Sequence, residues 1–316
     1  MTPVLRTAFQ SCGPRVDPDQ RVKVRQWRWL PGVFPPLAVW RGDAGAKFAE
    51  VGPVPRLSSG VLMSAFSALL DSPTHTCAQD CNSSLASLPA REKGLLAPFV
   101  QDVFLLGGLL LYEAGDPIDY VYFPHSAVIS QVATLEEGEG IITTLTGWES
   151  ACGTDVALDG PLALSRAVVL ISGTASRVAV AEFRAVCQNS VVIREVAARC
   201  NALLITQLHL AAACNACHSL EGRLSRWLLE CSDRVGSAVQ LKQRMLAHML
   251  GTNRTSVTLV ARRLQSSGAI GYRRGVIHIL NRAALEASAC ECYRTLRQRA
   301  DSFLPQIPEA ESAIQG

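Results

Sequence analysis

Leu241 to Leu264, LKQRMLAHMLGTNRTSVTLVARRL, is the stretch on which the rest of the chain turns. Leu241, Met245, Leu246, Met249 and Leu250 recur at helical spacing, which predicts a short helix with one apolar face. Gly251 breaks the run. Asn253 can cap a second helix through its side-chain oxygen, and Val257, Val260, Ala261 and Leu264 continue an inward face at three- and four-residue steps. Ala247 is small where the two helices would cross, Gly251 supplies a permissive turn, and Val257 fills the angle between them. With Leu246, Leu250 and Val260 these residues form the predicted core of a helix-turn-helix.

The second helix would present Arg254, Thr255, Thr258, Leu259 and Arg262 outward, with Arg263 alongside. Such a side suits the major groove of double-stranded DNA, where the arginine fork matches guanine O6 and N7. Arg254, Thr255 and Thr258 are the expected base readers, and Asn253 and Arg262 the expected phosphate contacts. Downstream, Ala269 to Leu280 reads AIGYRRGVIHIL, two short strands around an Arg-Arg-Gly turn, as in the wing of a winged helix. Arg273 and Arg274 at its tip would also meet phosphate. A plain helical hairpin with a surface turn is the alternative, and it leaves the agreement of crossing residues, cap, polar side and wing unexplained.

Charge follows the same division. Between Gly236 and Ala300 there are eleven Lys or Arg and two acids, Glu286 and Glu291, whereas the whole chain carries only +3. A basic block on an otherwise acidic chain is the footprint of a phosphate-binding module. Arginine outnumbers lysine throughout, which genomic base composition can explain. The scarcity of acids in this one segment is a separate fact.

At 316 residues the chain has room for more than one domain, and 48% hydrophobic content excludes wholesale disorder. Residues 1–81 are unlike the rest: half of the 16 prolines lie in the first sixty positions, beside Trp27, Trp29 and Trp40, with no sustained periodicity. A poorly ordered extension is expected there, with Met63 as an alternative start. Over 82–190 the pattern becomes short strands punctuated by Gly, Asp and Pro, at 103–106, 109–112, 120–123, 128–135, 141–146, 166–172 and 176–181. Such spacing predicts a small antiparallel roll.

Over 191–235 the signal is helical. Val196, Cys200, Leu203, Leu204, Gln207 and Leu208 lie on a mostly apolar stripe without a breaker, and a second copy of the same helix is its expected cover. That predicts a homodimer, with packing back onto the roll as the alternative. A second amphipathic helix, from Ser219 to Val235, places Leu220, Leu224, Trp227, Leu228 and Cys231 inward. The winged helix-turn-helix occupies 236–304 and a tail 305–316. The fold class is therefore α+β: an N-terminal antiparallel β-roll, a long dimerisation helix and a C-terminal winged helix-turn-helix.

No stretch approaches eighteen continuous apolar residues, so no membrane partner is expected. Arg6, Arg15 and early prolines replace the apolar core of a leader, which points to the cytoplasm. Eleven cysteines without a repeating framework suit reduced thiols.

This order of elements resembles the Crp/Fnr superfamily of bacterial transcription regulators, over about residues 82–304. Leu111 to Pro117 followed by Tyr120 to Pro124 is similar to the first roll strands and their turn. CNACHSLEGRLSRWLL, from Cys214 to Leu229, and Cys290-Glu291-Cys292-Tyr293 resemble the branch common in alphaproteobacteria. The resemblance implies a dimer on an inverted-repeat operator, Arg254 and Thr255 at base-touching positions, and RNA polymerase as a partner. Leu259 departs from members with a base-reading arginine there; a leucine can at most touch a thymine methyl.

Members that bind cyclic nucleotides use a Gly-Glu pair and an Arg followed by a small hydroxyl residue. Here the region holds Gly147-Trp148-Glu149-Ser150 and Ser165-Arg166, the latter reversed, and in a strand one position turns a side chain to the opposite face. A degenerate sensor roll that does not take cyclic AMP is therefore expected. The alternative is a sensor switched by another ligand or by an iron–sulfur cluster, for which Cys77, Cys81 and Cys152, with Cys12 distant, offer an incomplete ligand set. Zinc through His75, Cys77 and Cys81 lacks a fourth ligand. Cys214-Asn215-Ala216-Cys217-His218 fits the haem-attachment string C-x-x-C-H, which belongs to exported proteins; Cys214 and Cys217 are read as packing residues, and His209 and His218 as core or interface residues. No metal and no resident cofactor are expected. No nucleophile elbow or phosphate loop is present, and Asp155 and Asp159 read as turn residues, so no catalytic site is expected.

Overall fold

The computed structural model describes residues 82–135, 140–155 and 162–303. The expected N-terminal extension and C-terminal tail lie outside the described residues. The chain enters through Asn82, which is fully buried. Its Oδ1 accepts from the amides of Ser84 and Leu85, capping α1 (Ser83–Ala86), while its Nδ2 donates to the carbonyls of Pro124 (2.9 Å) and Ser150 (2.7 Å). One side chain thus starts a helix and pins it to the roll. Helix α2 (Ala90–Leu96) and a single 3-10 turn (Ala97–Phe99) follow.

Seven strands make the roll: β1 (Gln101–Leu105), β2 (Leu110–Tyr112), β3 (Tyr120–Pro124), β4 (Val128–Thr134), β5 (Gly140–Thr146), β6 (Arg166–Ile171) and β7 (Gly173–Ala179). They form two sheets, ordered β1-β7-β3 and β2-β6-β4-β5, with every pair antiparallel. Strands β6 and β7 are separated only by Ser172, so the chain changes sheet within one residue. Gly173 permits this, because a Cβ there would lie 2.3 Å from the Ala127 nitrogen. The roll core draws Val121, Phe123, Ile129, Val169 and Val178 from both sheets.

Helix α3 (Val180–Asn189) continues directly from β7 and adds Phe183 to that core. Its apolar residues sit just ahead of the stripe expected from Ile193 onward, and the sequence pattern did not separate it. Ser190 then caps α4 (Val191–Cys217), its Oγ accepting from the Ile193 amide at 3.3 Å.

Helix α4 departs from expectation in what covers it. Val196, Cys200, Leu203 and Gln207, expected against a second copy, are buried within the chain, Leu204 is half-buried, and Leu208 is exposed. The reason lies in matched polar groups: Gln207 Oε1 accepts the Leu145 amide (2.9 Å), and Thr154 Oγ1 donates to Asn201 Oδ1 (2.7 Å). These bonds tie α4 to the roll, so the expected stripe is an intrachain face. The large apolar residues exposed on α4 are Val191 at its start and Ile205 and Leu208 further along. By length and composition α4 is apolar enough to cross a membrane; its inward polar residues instead bond the roll.

Helix α5 (Leu220–Val235) begins at Ser219, whose Oγ accepts the Gly222 amide, and ends at Gly236. The remaining elements are β8 (Ala238–Gln240), α6 (Gln243–Leu250), α7 (Arg254–Ser266), β9 (Ile270–Arg273), β10 (Val276–Ile279), α8 (Arg282–Ser288) and α9 (Cys292–Phe303). The wing sheet runs β8-β10-β9, so the expected hairpin gains a third strand before the helix-turn-helix. A second core joins Leu224, Trp227 and Leu228 of α5 to Leu246, Met249, Val257 and Leu264, and it includes Val128, Ile142, Leu145, Leu170 and Ile171 of the roll. The helix-turn-helix and the roll therefore share one apolar core.

Candidate nucleic-acid interface

The geometry of the turn follows from its residues. Gly251 adopts the left-handed conformation (φ 57°) and closes α6, while the Thr252 amide returns to the Ala247 carbonyl at 3.1 Å. Asn253 then caps α7, its Oδ1 accepting the Ser256 amide at 2.8 Å. Val257 is fully buried in the angle, with Leu246, Leu250, Val260 and Leu264 around it, and Ala247 is half-buried at the crossing. Of the residues assigned from sequence to this core, Leu246, Leu250, Val257 and Val260 are buried in it, Ala247 packs against it half-buried, and Gly251 is exposed at the turn.

Facing away from this core, Arg254, Thr255, Leu259, Arg262 and Arg263 are exposed on α7. Thr258 is half-buried, and its hydroxyl donates to the Arg254 carbonyl at 2.8 Å, so in this rotamer it can meet a base only as an acceptor or through its methyl group. The Asn253 oxygen is likewise engaged in the cap. What it can offer phosphate is its amide NH2 and the exposed start of the helix, where backbone N–H groups and the helix dipole favour an anion.

The wing tip is a two-residue hairpin turn. Arg273 pairs with Val276 across it, and Arg274 (φ 52°) and Gly275 (φ 84°) both take left-handed conformations. This turn leaves Arg273 and Arg274 exposed. Among the described residues, Arg254, Arg262, Arg273 and Arg274 make no ion pair, and Arg263 lies 3.9 Å from Glu221 with both side chains exposed. Arg254, Arg262, Arg273 and Arg274 are thus held on packed supports with no carboxylate partner among the described residues, while Arg263 has Glu221 beside it.

Other basic residues are structural, which the sequence did not distinguish. Arg223 of α5 donates from Nη2 to the Leu250 carbonyl and to Asn215 Oδ1, both at 2.6 Å, and so caps the end of α6. Arg226 and Glu230 form a buried ion pair at 2.6 Å, with the guanidinium 4.3 Å from the Trp227 ring centre. Arg234 reaches Glu149 of the roll at 2.6 Å. Arg282 binds Asp233 Oδ1 and Tyr293 Oη, each at 2.6 Å, while the Tyr293 hydroxyl donates to Asp233 Oδ2 at 2.8 Å. Burial and the neighbouring Asp233 carboxylate push the Tyr293 phenol up to about 12. Spacing alone could have suggested Arg226–Glu230 and Arg282–Glu286 (2.9 Å), each four residues apart on one helix, but none of the long-range partners.

The eight described cysteines are all free thiols. Cys152, the one iron–sulfur candidate among described residues, sits 3.1 Å from Tyr112 Oη, and burial pushes its thiol up to about 11. Cys12, His75, Cys77 and Cys81 lie outside the described residues. In the C-x-x-C-H string Cys214 is buried and Cys217 exposed, so the two point to different surroundings. Cys214 and His218 instead converge with Cys290 and Cys292, a grouping not foreseen from sequence. Hydrogen bonding from Cys290 first, then the Arg226 charge and His218, lowers the Cys214 thiol to about 5. Cys290 is held well above the usual thiol range by the same bond and by burial.

A capped recognition helix, a tight glycine turn and an arginine-tipped wing on a roll-and-helix body define a winged helix-turn-helix protein. Residues 222–288 match the family described as the Crp-like helix-turn-helix domain. FixK2 from Bradyrhizobium japonicum is similar in structure, with a TM-score of 0.53 at 17% identity over 60% of this chain and 98% of that one. A CRP-family transcriptional regulator from Thermus thermophilus gives 0.51 at 19% identity, covering 59% of this chain and 96% of that one. The c-di-GMP responsive global regulator CLP of Xanthomonas campestris gives 0.51 at 14% identity, covering 61% and 100%. A search of curated protein sequences finds no significant match. Residues 222–288 thus carry a Crp-like helix-turn-helix domain, and the body around it has the fold of solved Crp/Fnr-family structures.

Proposed function

We propose that the chain is a sequence-specific DNA-binding transcription regulator, not an enzyme, that acts in the cytoplasm as a homodimer on an inverted-repeat operator. One observation carries the reading: Arg254 and Arg262 on α7 and Arg273 and Arg274 on the wing are exposed and, among the described residues, free of carboxylate partners. Arg254 and Thr255 read bases, with Thr258 joining them as a hydrogen-bond acceptor or through its methyl group. Asn253, Arg262, Arg273 and Arg274 hold phosphate. Ile205 and Leu208, with half-buried Leu204 beside them, supply the apolar side of α4 against a second copy. RNA polymerase is the natural partner of a regulator so placed.

The roll is a degenerate sensor in this reading. Arg166, the basic residue at the start of β6, is held by Glu113 at 2.8 Å, and Glu149 is committed to Arg234 at 2.6 Å, so a cyclic nucleotide would have to displace both pairs. A second reading, in which another effector at the roll switches DNA binding, is favoured by the core that roll and helix-turn-helix share. Thermal-shift screening of the whole protein against small ligands separates the two.

The test of the main reading is fluorescence anisotropy on a duplex chosen by selection from randomised DNA. Arg254→Ala should lose about 1–3 kcal/mol at one base pair and little on other sequences. Arg273→Ala should weaken all DNA alike and reduce the salt dependence by about one unit. Equal losses on selected and random DNA for both variants would overturn the assigned roles.

A further inference from the structure

Cys214 lies in the last turn of α4 and His218 immediately follows that helix, while Cys290 precedes α9 and Cys292 opens it. The fold brings these two pairs, more than seventy residues apart in sequence, to one point between α4 and α9. Cys214 Sγ and Cys290 Sγ are 3.5 Å apart, His218 Nδ1 and Cys292 Sγ are 3.5 Å apart, and all four donor atoms fall within 4.8 Å of one another. Tetrahedral zinc with Zn–S near 2.3 Å sets its sulfur ligands about 3.8 Å from each other. The donors therefore already stand at the spacing of a single-ion site. A multi-iron cluster has to fit inside its ligands and would hold them further apart.

The surroundings match as well. His218 turns Nδ1 toward the sulfur atoms and places Nε2 3.0 Å from Glu291 Oε1. That is the arrangement in which a carboxylate takes the N–H of one ring nitrogen and leaves the other free to bind a metal. Three thiolates and one divalent ion carry a net negative charge. Arg226, 3% exposed, has its Nε and Nη2 buried without hydrogen-bond partners beside this cluster. Its Nη1 is taken by Glu230, and the two unspent donors keep positive potential next to the sulfur atoms. Cys217, one residue before His218, is exposed and stays outside the group.

We propose that Cys214, His218, Cys290 and Cys292 form a closed Cys3His site for zinc(II), which staples the end of α4 to the start of α9. On binding, the thiols that are still protonated release their protons as three Zn–S bonds and one Zn–N bond form, and no oxidant or reductant is involved. With four protein ligands no position is left for substrate, so the ion is structural. Metal binding is measured without DNA, so its outcome and that of the DNA-binding reading are independent.

The test is metal analysis of the full chain purified under reducing conditions, followed by chelation and titration with zinc(II) or cobalt(II). One ion per chain is expected, and cobalt should give the thiolate charge-transfer and intense visible bands of a tetrahedral sulfur-rich site. Cys290→Ser and His218→Asn should abolish the cobalt spectrum, Glu291→Gln should weaken affinity about tenfold or more, and Cys217→Ser should change neither. Removing the ion should lower the melting temperature of the wild-type chain, a readout that requires no variant to fold. Wild-type protein that binds neither ion at micromolar concentration would overturn the proposal. So would a cobalt spectrum indifferent to Cys290→Ser and His218→Asn, or a native Cys214–Cys290 disulfide found by mass spectrometry.

Discussion

Replacing Gly251 with alanine tests two features at once. The residue is left-handed (φ 57°), and a Cβ there would lie 3.2 Å from Ile141 Cδ1 and 3.6 Å from its Cγ1 on strand β5. A non-glycine residue in that conformation costs about 1–2 kcal/mol. The contact adds less, because Ile141 is half-buried and presents the end of a flexible side chain. A forced rotamer shift there costs about 0.5–1.5 kcal/mol. Alanine also stiffens the unfolded chain, which returns about 0.4–1 kcal/mol. Gly251→Ala should therefore destabilise by about 1–2 kcal/mol net, read from urea unfolding. In an Ile141→Ala background only the backbone part should persist, so a double-mutant cycle should give a coupling of about 0.5–1.5 kcal/mol. Gly251→Asn, which tolerates this conformation better, should lose less than alanine in the same background. A neutral Gly251→Ala would refute the left-handed turn. Zero coupling to Ile141 would refute the seating of the helix-turn-helix on the roll.

Glu230→Gln should cost about 3–5 kcal/mol, because it leaves Arg226 charged and buried without its partner, whereas Arg226→Met with Glu230→Leu should recover most of that loss; chemical unfolding reads both. If the single and double variants are equally stable, the pair is not isolated from solvent. Burial raises the thiols of Cys152 and Cys187 to about 11 and Cys231 to about 12. They should stay protonated and unreactive at neutral pH, gaining reactivity only as pH climbs toward those values, while exposed Cys217 is alkylated first. Peptide mapping after brief iodoacetamide treatment checks this, and rapid labelling of Cys231 at neutral pH would contradict it. Ile205→Glu with Leu208→Glu should give a monomer by light scattering with an unchanged far-UV circular dichroism spectrum, since both side chains are exposed in the single chain; a persisting dimer would exclude that side of α4.

Local pattern carried the helix-turn-helix almost completely, because each of its parts is decided within a few residues. Gly251 stops one helix, Asn253 starts the next, and Val257 falls between them whatever the rest of the chain does. The wing was legible for the same reason, since Arg-Arg-Gly between alternating apolar residues already implies a tight hairpin. Periodicity was weaker on α4. It located an inward stripe but could not say what covers it, and the polar Gln207 within that stripe was the one hint of a specific intrachain acceptor. The four-donor cluster was illegible for a related reason. Cys214 and His218 look like a haem string when read alone, and only the path of the chain through α5 and the wing brings Cys290 and Cys292 beside them.

Helix α5 shows why the charges were hardest to assign. Its apolar face was evident from Leu224, Trp227, Leu228 and Cys231, all buried, yet its polar residues each answer to a different part of the molecule. Arg234 holds Glu149, and Trp148 Nε1 donates to the Asp233 carbonyl at 3.4 Å, so the end of α5 is fastened to the turn after β5. The Asp233 carboxylate meanwhile takes Arg282 and Tyr293 from beyond the wing, and Arg223 caps the helix that precedes the recognition helix. Helix α5 is thereby bonded to the turn after β5, to the end of α6 beside Gly251, and to the two helices that follow the wing.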